Sequence, residues 1–464
     1  MVTPPLLRPT LPDSVQLLCD APEQLFSVAQ YAKGPIALHF PEIASRNARQ
    51  FQQELDAIGV RARVFAAHKA TGSFDIIANL RDVCGVDVAS SAELASARKA
   101  GFLASDLIAT GPKPTQFLAD LAVLGIPIIV DSPEELERLQ TVATDNVEVL
   151  LRLSRTMINA DTVTKRSRFG MDAKSFASAL TLLAHMPHVK LRGVAFHLDS
   201  QSVVERVTAV RRGMGHLLTL QNNFPAANVL DIGGGYGTHY GVSKYDTDVF
   251  EATLRQAVQT GDLSSLTWQG HGYGLSNAHG HVTGTLHGFD ISAEPYGIER
   301  LRETLLATDV SGYTLAAELA DNLVEVWLEP GAALYADAGA LAAEIMEVRE
   351  LDGDTIVIVD AHRNQVCFEN NEVLADPILI RNTTHSATLT DCFIAGHLCA
   401  ENDFLTYRKI HFDHRPQAGD ILLWSHAGAY RMHFSASQAI GHSLAKQYTY
   451  QPEARGYTLV ESTQ

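Results

Sequence analysis

The chain has 464 residues, of which 46% are hydrophobic and 19% charged, so it is long enough to bury a large core and to form a second, smaller domain. Its 36 basic and 53 acidic side chains give a formal charge of -17, which argues against nucleic acid and anionic lipid as partners. No apolar run reaches the roughly 18 to 20 residues of a membrane span, and the first residues lack a signal-peptide pattern, so we expect a cytoplasmic protein.

From about residue 35 to residue 235, short apolar runs alternate with helical patterns. The runs are PIALHF, ARVFAAH, VDVAS, LIATG, PIIVDS, VEVLLRLS, LRGVAFHL and NVLDIGGG. Segments between them, such as SAELASARKAGF and SPEELERLQTVA, begin with a serine and an acidic first turn, which predicts helices. Seven or eight such units fold most economically as an α/β protein of the (β/α)8 TIM-barrel type, and an open doubly wound sheet is the alternative.

The sequence pattern changes after the repeated units. The segment from about 260 to 312 is rich in glycine and histidine and reads as an insertion that ends in a helical pattern. After residue 340, strand-like runs separated by Asp-Gly, Asp-Pro and Gly-Asp turns predict an all-β domain, a β-barrel or sandwich. We therefore expect a barrel over 26–340 and an all-β domain made of 1–25 and 341–464.

Neither the histidines nor the cysteines show a metal-binding pattern. The histidines of the inserted segment have no ligand spacing and no acidic partner among them, so we expect a structural or surface-loop role and no metal: His271, His279, His281 and His287. The cysteines are scattered and lack CxxC spacing, so we expect five free thiols: Cys19, Cys84, Cys367, Cys392 and Cys399.

Several chemically useful residues follow predicted strand ends, where a barrel places its catalytic groups. Lys69 follows VFAAH, and burial there favours the neutral amine that attacks an aldehyde, although a lysine that extends to solvent is the alternative. His197 and Glu329 occupy equivalent positions, and each alone also fits a satisfied polar group. The glycines at 233–235 let an anion approach backbone N–H groups, or simply form a tight turn.

The order of these pieces resembles the fold-type III pyridoxal-phosphate decarboxylases, the family of ornithine, arginine and diaminopimelate decarboxylases. The resemblance covers nearly the whole chain and rests on AAHKA, GVDVASSAEL, SRFGM, FHLDSQ, LDIGGGYG, EPGAAL, GHLCAEND and HAGAYR, in that order. It implies an alanine-racemase-like barrel, pyridoxal 5′-phosphate as cofactor and the activity of an amino-acid carboxy-lyase.

The resemblance also implies roles for individual residues. Lys69 would form the internal Schiff base, His197 would stack on the pyridine ring, and Glu329 would bind the ring nitrogen. A carboxylate there keeps the nitrogen protonated and the ring electron-accepting. The remaining cofactor contacts that it implies are Asp87 and Glu93 near the ring, Arg152 near the phenolic oxygen, and Ser200, Gly234, Gly235 and Tyr430 at the phosphate.

The segment GHLCAEND carries the implied partner contribution. The resemblance implies that Cys399 reaches into the partner subunit's site and returns a proton to Cα, which suits a thiol with an ordinary pKa of about 8.5. A buried structural cysteine is the alternative. Asp403, Glu401 and Arg168 are the candidate substrate contacts. The implied assembly is a two-fold homodimer with shared active sites, in which the all-β domain completes the partner's site.

Two departures from the family pattern bear on the substrate. Ala332 stands where the family has the arginine of Glu-Pro-Gly-Arg, and Ala400 stands where diaminopimelate decarboxylases have a glutamate. A free diaminopimelate would lose about 1 to 3 kcal/mol of binding free energy for each missing contact. The remaining positive groups, Arg168, Arg431 and His433, suit a larger or anionic substrate. We therefore expect an amino-acid conjugate, with a citrate-linked amino acid of siderophore biosynthesis as the favoured case.

Three other functions stay open at this point. One is a decarboxylase of a free diamino acid such as diaminopimelate or ornithine. Another is a racemase, which needs a second base opposite Lys69, usually a tyrosine, and which the Cys399 segment argues against. The third is an inactive, decarboxylase-like binding protein, which the loss at Ala332 favours and the retention of Lys69, His197, Glu329 and Cys399 opposes.

Overall fold

The computed structural model describes residues 4–143, 145–158, 167–200, 202–287, 294–367, 372–383 and 388–462. Eight parallel strands close into a barrel, because the eighth strand pairs with both the first and the seventh. In chain order the barrel strands are Ala62–Ala67, Gly85–Val88, Leu107–Ala109, Ile128–Val130, Val147–Arg152, Val189–Ala195, Val229–Asp231 and Glu325–Leu328. The predicted (β/α)8 barrel is confirmed.

Helices surround the barrel, and many begin at a side-chain cap. Ser90, Ser132 and Ser202, for example, each accept a hydrogen bond from the backbone N–H three residues later, which is the pattern that the sequence predicts. The helices that precede, connect or follow the strands are Pro41–Ile58, Phe74–Asn79, Ser91–Lys99, Thr115–Leu124, Pro133–Val142, Arg155–Ile158, Ala173–Leu183, Val203–Leu220, Lys244–Thr260, Gly297–Leu306, Leu315–Asp321 and Ala332–Tyr335.

The inside of the barrel is filled with apolar side chains. One side chain from nearly every strand joins a separate buried cluster that contains Phe65, Ile108, Ile129, Leu150, Ala195, Val229 and Trp327. This packing closes the barrel interior, so a ligand has room only at the ends of the strands.

A nine-stranded sheet forms the second domain. Its strands are Ile36–His39, Gly339–Leu351, Asp354–Val359, Ile378–Ile380, Thr390–Ala395, Phe404–Phe412, Ile421–Trp424, Lys446–Pro452 and Tyr457–Glu461. The expectation of a mostly β domain after residue 340 is confirmed. A short helix, Arg363–Val366, follows the strand Asp354–Val359.

Two predictions for the N-terminal region are wrong. The run PIALHF does not open the barrel series, because Ile36–His39 pairs antiparallel with residues 339–342 and parallel with residues 446–449 of the second domain. All four of its residues are buried, so its sequence does not distinguish the two sheets. The residues before it are not β-structure, since they form the helices Asp13–Asp20 and Glu23–Ala32. The expected division at residue 26 therefore does not match the sheet pairing.

The inserted segment packs against the second domain. Its described part contains short 3-10 turns at Leu263–Ser265 and Trp268–Gly270 and a hairpin of Leu275–Ala278 with His281–Gly284. His271 stacks on Tyr407 of the nine-stranded sheet, with ring centroids 4.3 Å apart. His271 thus has a structural role in packing, which is one of the two roles expected for it.

Three further observations concern the described ranges only. No helix there is long and apolar enough to span a membrane. No group of three or more histidine, cysteine, aspartate or glutamate side chains is arranged to hold a metal ion. All five cysteines are free thiols, as expected.

Candidate active site

Lys69 lies in a 3-10 turn, His68–Ala70, directly after the first barrel strand. Burial by itself lowers the pKa of Lys69, but Tyr430, Asp87 and Glu329 raise it, and the net pKa lies above the usual value for lysine. The expectation of a neutral amine from burial alone is therefore wrong. The acidic neighbours outweigh desolvation and stabilise the ammonium form.

Asp87 is the penultimate residue of the second barrel strand and is buried beside this lysine. Its Oδ2 accepts a hydrogen bond from the Thr110 hydroxyl at 2.9 Å, and its Oδ1 has no partner among the described residues. Burial raises the pKa of Asp87, while Lys69 lowers it. Glu93 lies nearby and uses Oε2 to accept the N–H of Ala89 at 2.6 Å, so it also holds the turn after this strand.

Glu329 follows the eighth barrel strand and is 8% exposed. Its Oε1 has no hydrogen-bond partner in the described part of the chain. Burial raises the pKa of Glu329 well above its usual value, and Asp231 and Asp87 raise it further. A buried carboxyl oxygen without a partner is costly unless a donor binds it. The site therefore requires a donor at Glu329, and the protonated nitrogen of a pyridine ring fits that requirement.

Asp231 is a second buried carboxyl at this end of the barrel, and sequence reasoning missed it. It ends the seventh strand and accepts the N–H of Gly233 on Oδ1 at 2.8 Å. Burial raises the pKa of Asp231 to about 7. Asp231 therefore both shapes the glycine loop and contributes to the raised pKa of Glu329.

His197 lies between Lys69 and the glycine loop. Its Nδ1 accepts the N–H of Gly234 at 3.3 Å, which leaves the ring proton on Nε2. Burial lowers the pKa of His197 well below its usual value, and the charges of Lys69, Arg152 and Arg206 lower it further. The ring is therefore neutral at pH 7 and is held in one orientation.

The glycine loop after the seventh strand has no room for side chains. A Cβ at Gly234 would lie 2.6 Å from the carbonyl oxygen of Glu329, and one at Gly235 would lie 2.2 Å from that of Leu198. Gly235 also has a φ of +82°, which favours glycine. Ser200 lies on the neighbouring loop, where its Oγ accepts the N–H of Ser202 at 3.1 Å. Bare backbone at such a loop fits a phosphate group.

Tyr430 connects the second domain to this site. Its N–H donates to the carbonyl oxygen of Ala70 at 2.8 Å, next to Lys69. Its hydroxyl is 2.9 Å from the point where a Cβ at Gly331 would lie. Burial raises the pKa of Tyr430, and the charge of Lys69 opposes that shift. The structure thus brings Tyr430 next to Lys69, while its expected contact with a phosphate stays a prediction.

The arginines differ in their access to this site. Arg152 ends the fifth strand, with its Nη1 3.4 Å from Asp131 and its Cζ 4.7 Å from the centre of the Phe169 ring. Arg168 lies over the same ring at 4.1 Å and is exposed. Arg152 contributes to the pKa shifts of Lys69 and Glu329, whereas Arg168 remains available at the surface.

Two suggested substrate cations are not available in this role. Arg431 is 4% exposed and donates to the carbonyl oxygens of Val366 and Ser425, so its donors are used within the domain. Burial lowers the pKa of His433 to about 4, so it is neutral at pH 7, and it stacks on His39 at 5.3 Å.

The loop with Cys399 shows a further correction. Cys399 and Glu401 are exposed, but Asp403 is only 3% exposed. The two carboxylate oxygens of Asp403 accept backbone N–H groups of Arg363 at 2.9 Å and Leu398 at 2.8 Å. Asp403 thus fixes its own loop with both carboxylate oxygens. Among the described residues, Cys399 shares no hydrogen bond with the Lys69 cluster.

A parallel barrel with a lysine, a histidine and a buried carboxyl at the ends of its strands, and a glycine loop beside them, defines the cofactor site of a pyridoxal-phosphate enzyme of the barrel class. Comparison with known proteins gives the family. Residues 42–265 match the family described as "Pyridoxal-dependent decarboxylase, pyridoxal binding domain". This match and the relatives below support the fold-type III pyridoxal-phosphate decarboxylase family for this chain, and they imply pyridoxal 5′-phosphate as its cofactor.

Individual relatives are similar over most of their length. The uncharacterized protein y4yA of Sinorhizobium fredii is 27% identical, over 98% of this chain and 95% of the relative. A diaminopimelate decarboxylase of Zymomonas mobilis is 25% identical, over 87% of this chain and 84% of the relative. The L-glutamyl-[BtrI acyl-carrier protein] decarboxylase of Niallia circulans is 23% identical, over 77% and 75%.

A solved structure shares the fold. The diaminopimelate decarboxylase from M. jannaschii superimposes with a TM-score of 0.69 at 19% identity and covers 95% of this chain and 92% of that one. At this identity the likeness shows the architecture, which agrees with the barrel and sheet described above.

Proposed function

We propose that this chain removes the α-carboxylate of an amino acid that is part of a larger conjugate. The observation that carries the proposal is an uneven distribution of charge. Titratable groups surround Lys69, whereas the positions expected to bind the far end of a diamino acid are small or already bonded: Ala332, Ala400 and Asp403. The alanines at positions 332 and 400 offer no polar group to a distal ammonium.

The residues around Lys69 suit the chemistry of the cofactor. Pyridoxal phosphate supplies an aldehyde for the amino group and a ring that accepts the electron pair of the breaking Cα–carboxylate bond. Lys69 would hold the cofactor and exchange a proton at its Nζ, for which Asp87 and Tyr430 provide the nearby acidic groups. Glu329 would bind the ring nitrogen. Neutral His197, fixed by Gly234, would lie on the ring without adding charge.

The loss of the carboxylate leaves Cα in need of a proton. The exposed thiol of Cys399 is a suitable donor, and it shares no hydrogen bond with the Lys69 cluster among the described residues, which is consistent with service to a second subunit. We therefore include in the proposal a two-fold homodimer in which each second domain completes the other barrel's site.

Mixing two inactive variants tests this sharing. Lys69→Ala and Cys399→Ala homodimers, dissociated together and allowed to reassociate, should recover about a quarter of wild-type activity, because half of the dimers then contain one intact site. Cys399→Ala alone keeps the cofactor. If the mixture stays at the level of the separate variants, the sharing is wrong.

The conjugate must be attached through the side chain. The cofactor needs a free α-amino group, and the reaction needs a free α-carboxylate, so only the distal end is available for linkage. The name of the Niallia circulans relative, which refers to glutamate on a carrier protein, describes a substrate of this kind for that protein. Our favoured member of the class is a citrate-linked amino acid of siderophore biosynthesis.

Release of carbon dioxide from a matched panel tests the substrate class. The panel contains free meso-diaminopimelate, free ornithine, ornithine citrylated on its side chain, and glutamate as a side-chain thioester. We expect kcat/KM for a conjugate to exceed that for the free amino acids by about a hundredfold. A free diamino acid as the best substrate would refute the conjugate. Loss of optical activity without carbon dioxide would refute decarboxylation itself.

A further inference from the structure

Arg206 is a buried cation behind the glycine loop that sequence reasoning missed. It lies on the helix Val203–Leu220 and is 2% exposed. Its Nη2 donates to the carbonyl oxygens of Leu198 at 3.0 Å and Gly234 at 2.5 Å. Its Cζ lies 4.8 Å from the centre of the Tyr236 ring, and its Nε has no partner among the described residues.

The charge of Arg206 has no acidic counter-ion in the described ranges. No carboxylate there forms an ion pair with it, and its oxygen partners are two neutral carbonyl groups. Burial lowers the pKa of Arg206, and among neighbouring groups only the phenol of Tyr236 opposes that shift. Buried charges in proteins are normally paired because desolvation is costly. The position therefore lacks an anion.

The bonds of Arg206 join the two loops that carry the expected phosphate contacts. Leu198 precedes Ser200 on one loop, and Gly234 precedes Gly235 on the other. In a trans peptide unit the C=O and the following N–H point in opposite directions. Because the carbonyl of Gly234 points at Arg206, the N–H of Gly235 points away from it. Arg206 thus turns backbone donors toward the space in front of the loop.

A second guanidinium lies at the far end of the same loop. Arg300, on the helix Gly297–Leu306, is fully buried, and a Cβ at Gly237 would lie 2.5 Å from its Nη1. Ala332, in contrast, offers no charge to this region. The two guanidinium groups behind the loop therefore both lie on neighbouring helices.

We propose that Arg206 is a positioning residue for the cofactor's phosphate group. It acts as the buried counter-charge behind the loop and orients the N–H groups that contact the phosphate. This role concerns how the cofactor is retained and holds for any substrate.

Comparison of phosphorylated and unphosphorylated cofactor tests the role. Equilibrium binding of pyridoxal phosphate and of pyridoxal to cofactor-stripped protein is measured for wild type, Arg206→Gln and Arg206→Lys. We expect Arg206→Gln to weaken pyridoxal phosphate by about ten- to a hundredfold and pyridoxal by less than about threefold. Arg206→Lys, which keeps the charge, should lose less affinity for pyridoxal phosphate than Arg206→Gln.

Arg211→Gln is the matched control, because Arg211 lies on the same helix but pairs with Glu318 at 2.6 Å. It should leave both affinities unchanged. Equal weakening of pyridoxal phosphate and pyridoxal by Arg206→Gln would show a merely structural role and overturn the proposal. The proposal would also be overturned if the ratio of the affinities for pyridoxal phosphate and pyridoxal were the same in Arg206→Gln and wild type.

A measurement on the wild-type holoenzyme does not depend on the folding of a variant. The phosphorus NMR shift of the bound cofactor is followed with pH. A free phosphate monoester takes up a proton with a pKa of about 6, whereas a buried guanidinium should keep the bound group dianionic through that range. Titration of the bound phosphate near the free value would overturn the proposal.

Discussion

Replacement of Gly235 by alanine measures how closely the glycine loop is packed. The left-handed backbone at this position costs about 1 to 2 kcal/mol for a residue with a Cβ. The new Cβ would lie 2.2 Å from the Leu198 carbonyl oxygen and 2.4 Å from Arg206 Nη2, so backbone must move. Such overpacking adds about 1 to 3 kcal/mol. We expect Gly235→Ala to lower the free energy of unfolding by about 2 to 5 kcal/mol.

Cofactor affinity should fall in the same variant. A shift of the loop moves the Gly235 N–H from the phosphate, and loss of one hydrogen bond to a charged group costs about 1.5 to 3 kcal/mol, or roughly ten- to a hundredfold in affinity. Urea unfolding followed by circular dichroism gives the first quantity. Equilibrium binding of pyridoxal phosphate to stripped protein gives the second.

Gly261 provides a control with the same backbone strain. It ends the helix Lys244–Thr260 with a φ of +80°, and a Cβ there would have no atom within 4 Å. Gly261→Ala should therefore cost only about 1 to 2 kcal/mol and leave the cofactor affinity unchanged. If the two variants lose equal stability and both bind the cofactor as wild type does, the steric argument is refuted.

Three further predictions concern single side chains. Lys69→Ala should retain no covalent cofactor after borohydride reduction, whereas wild type should carry it on the peptide with Lys69; a label on another lysine would contradict the assignment. Glu329→Gln should lower kcat by about ten- to a hundredfold with cofactor still bound, because one charge-assisted bond is lost; an unchanged kcat would exclude the ring-nitrogen role. Burial lowers the pKa of His433 to about 4, so only the unfolded chain binds that proton between pH 6.5 and 4. Because this proton favours the unfolded chain, His433 lowers the free energy of unfolding by about 3 kcal/mol as the pH falls from 6.5 to 4. Above pH 6.5 the group has no such effect. His433→Gln should flatten this decline in urea titrations at several pH values, and an unchanged slope would contradict it.

The sequence by itself determined the repeated units and the residues at their ends. Serine caps, acidic first turns and short apolar runs depend on neighbours within a few residues, so their patterns predict helices and strands directly. The order of the barrel strands follows from the chain, because consecutive parallel strands pair with each other. That is why Lys69, Glu329 and the glycine loop were predicted to converge at one end of the barrel.

Only the tertiary structure decided the features that depend on distant residues. The strand Ile36–His39 is buried on both faces, and its sequence does not say which sheet it joins. The pKa of Lys69 is raised by Tyr430 and Glu329, which lie hundreds of residues away in the chain, as well as by the nearby Asp87.

Arg206 and Asp403 show the same limit for polar groups. Arg206 lies in the buried stripe of its helix with Val210 and Leu217, and a charge in an apolar stripe was the one signal available. Whether such a group binds a ligand or fixes a loop depends on which partners the fold supplies. Asp403 binds two backbone donors in its own domain, whereas Arg206 binds two carbonyl groups and no anion among the residues that the structure describes. Local sequence patterns indicate the periodicity of helices and strands. Electrostatic fields and tertiary contacts arise only when distant segments pack together.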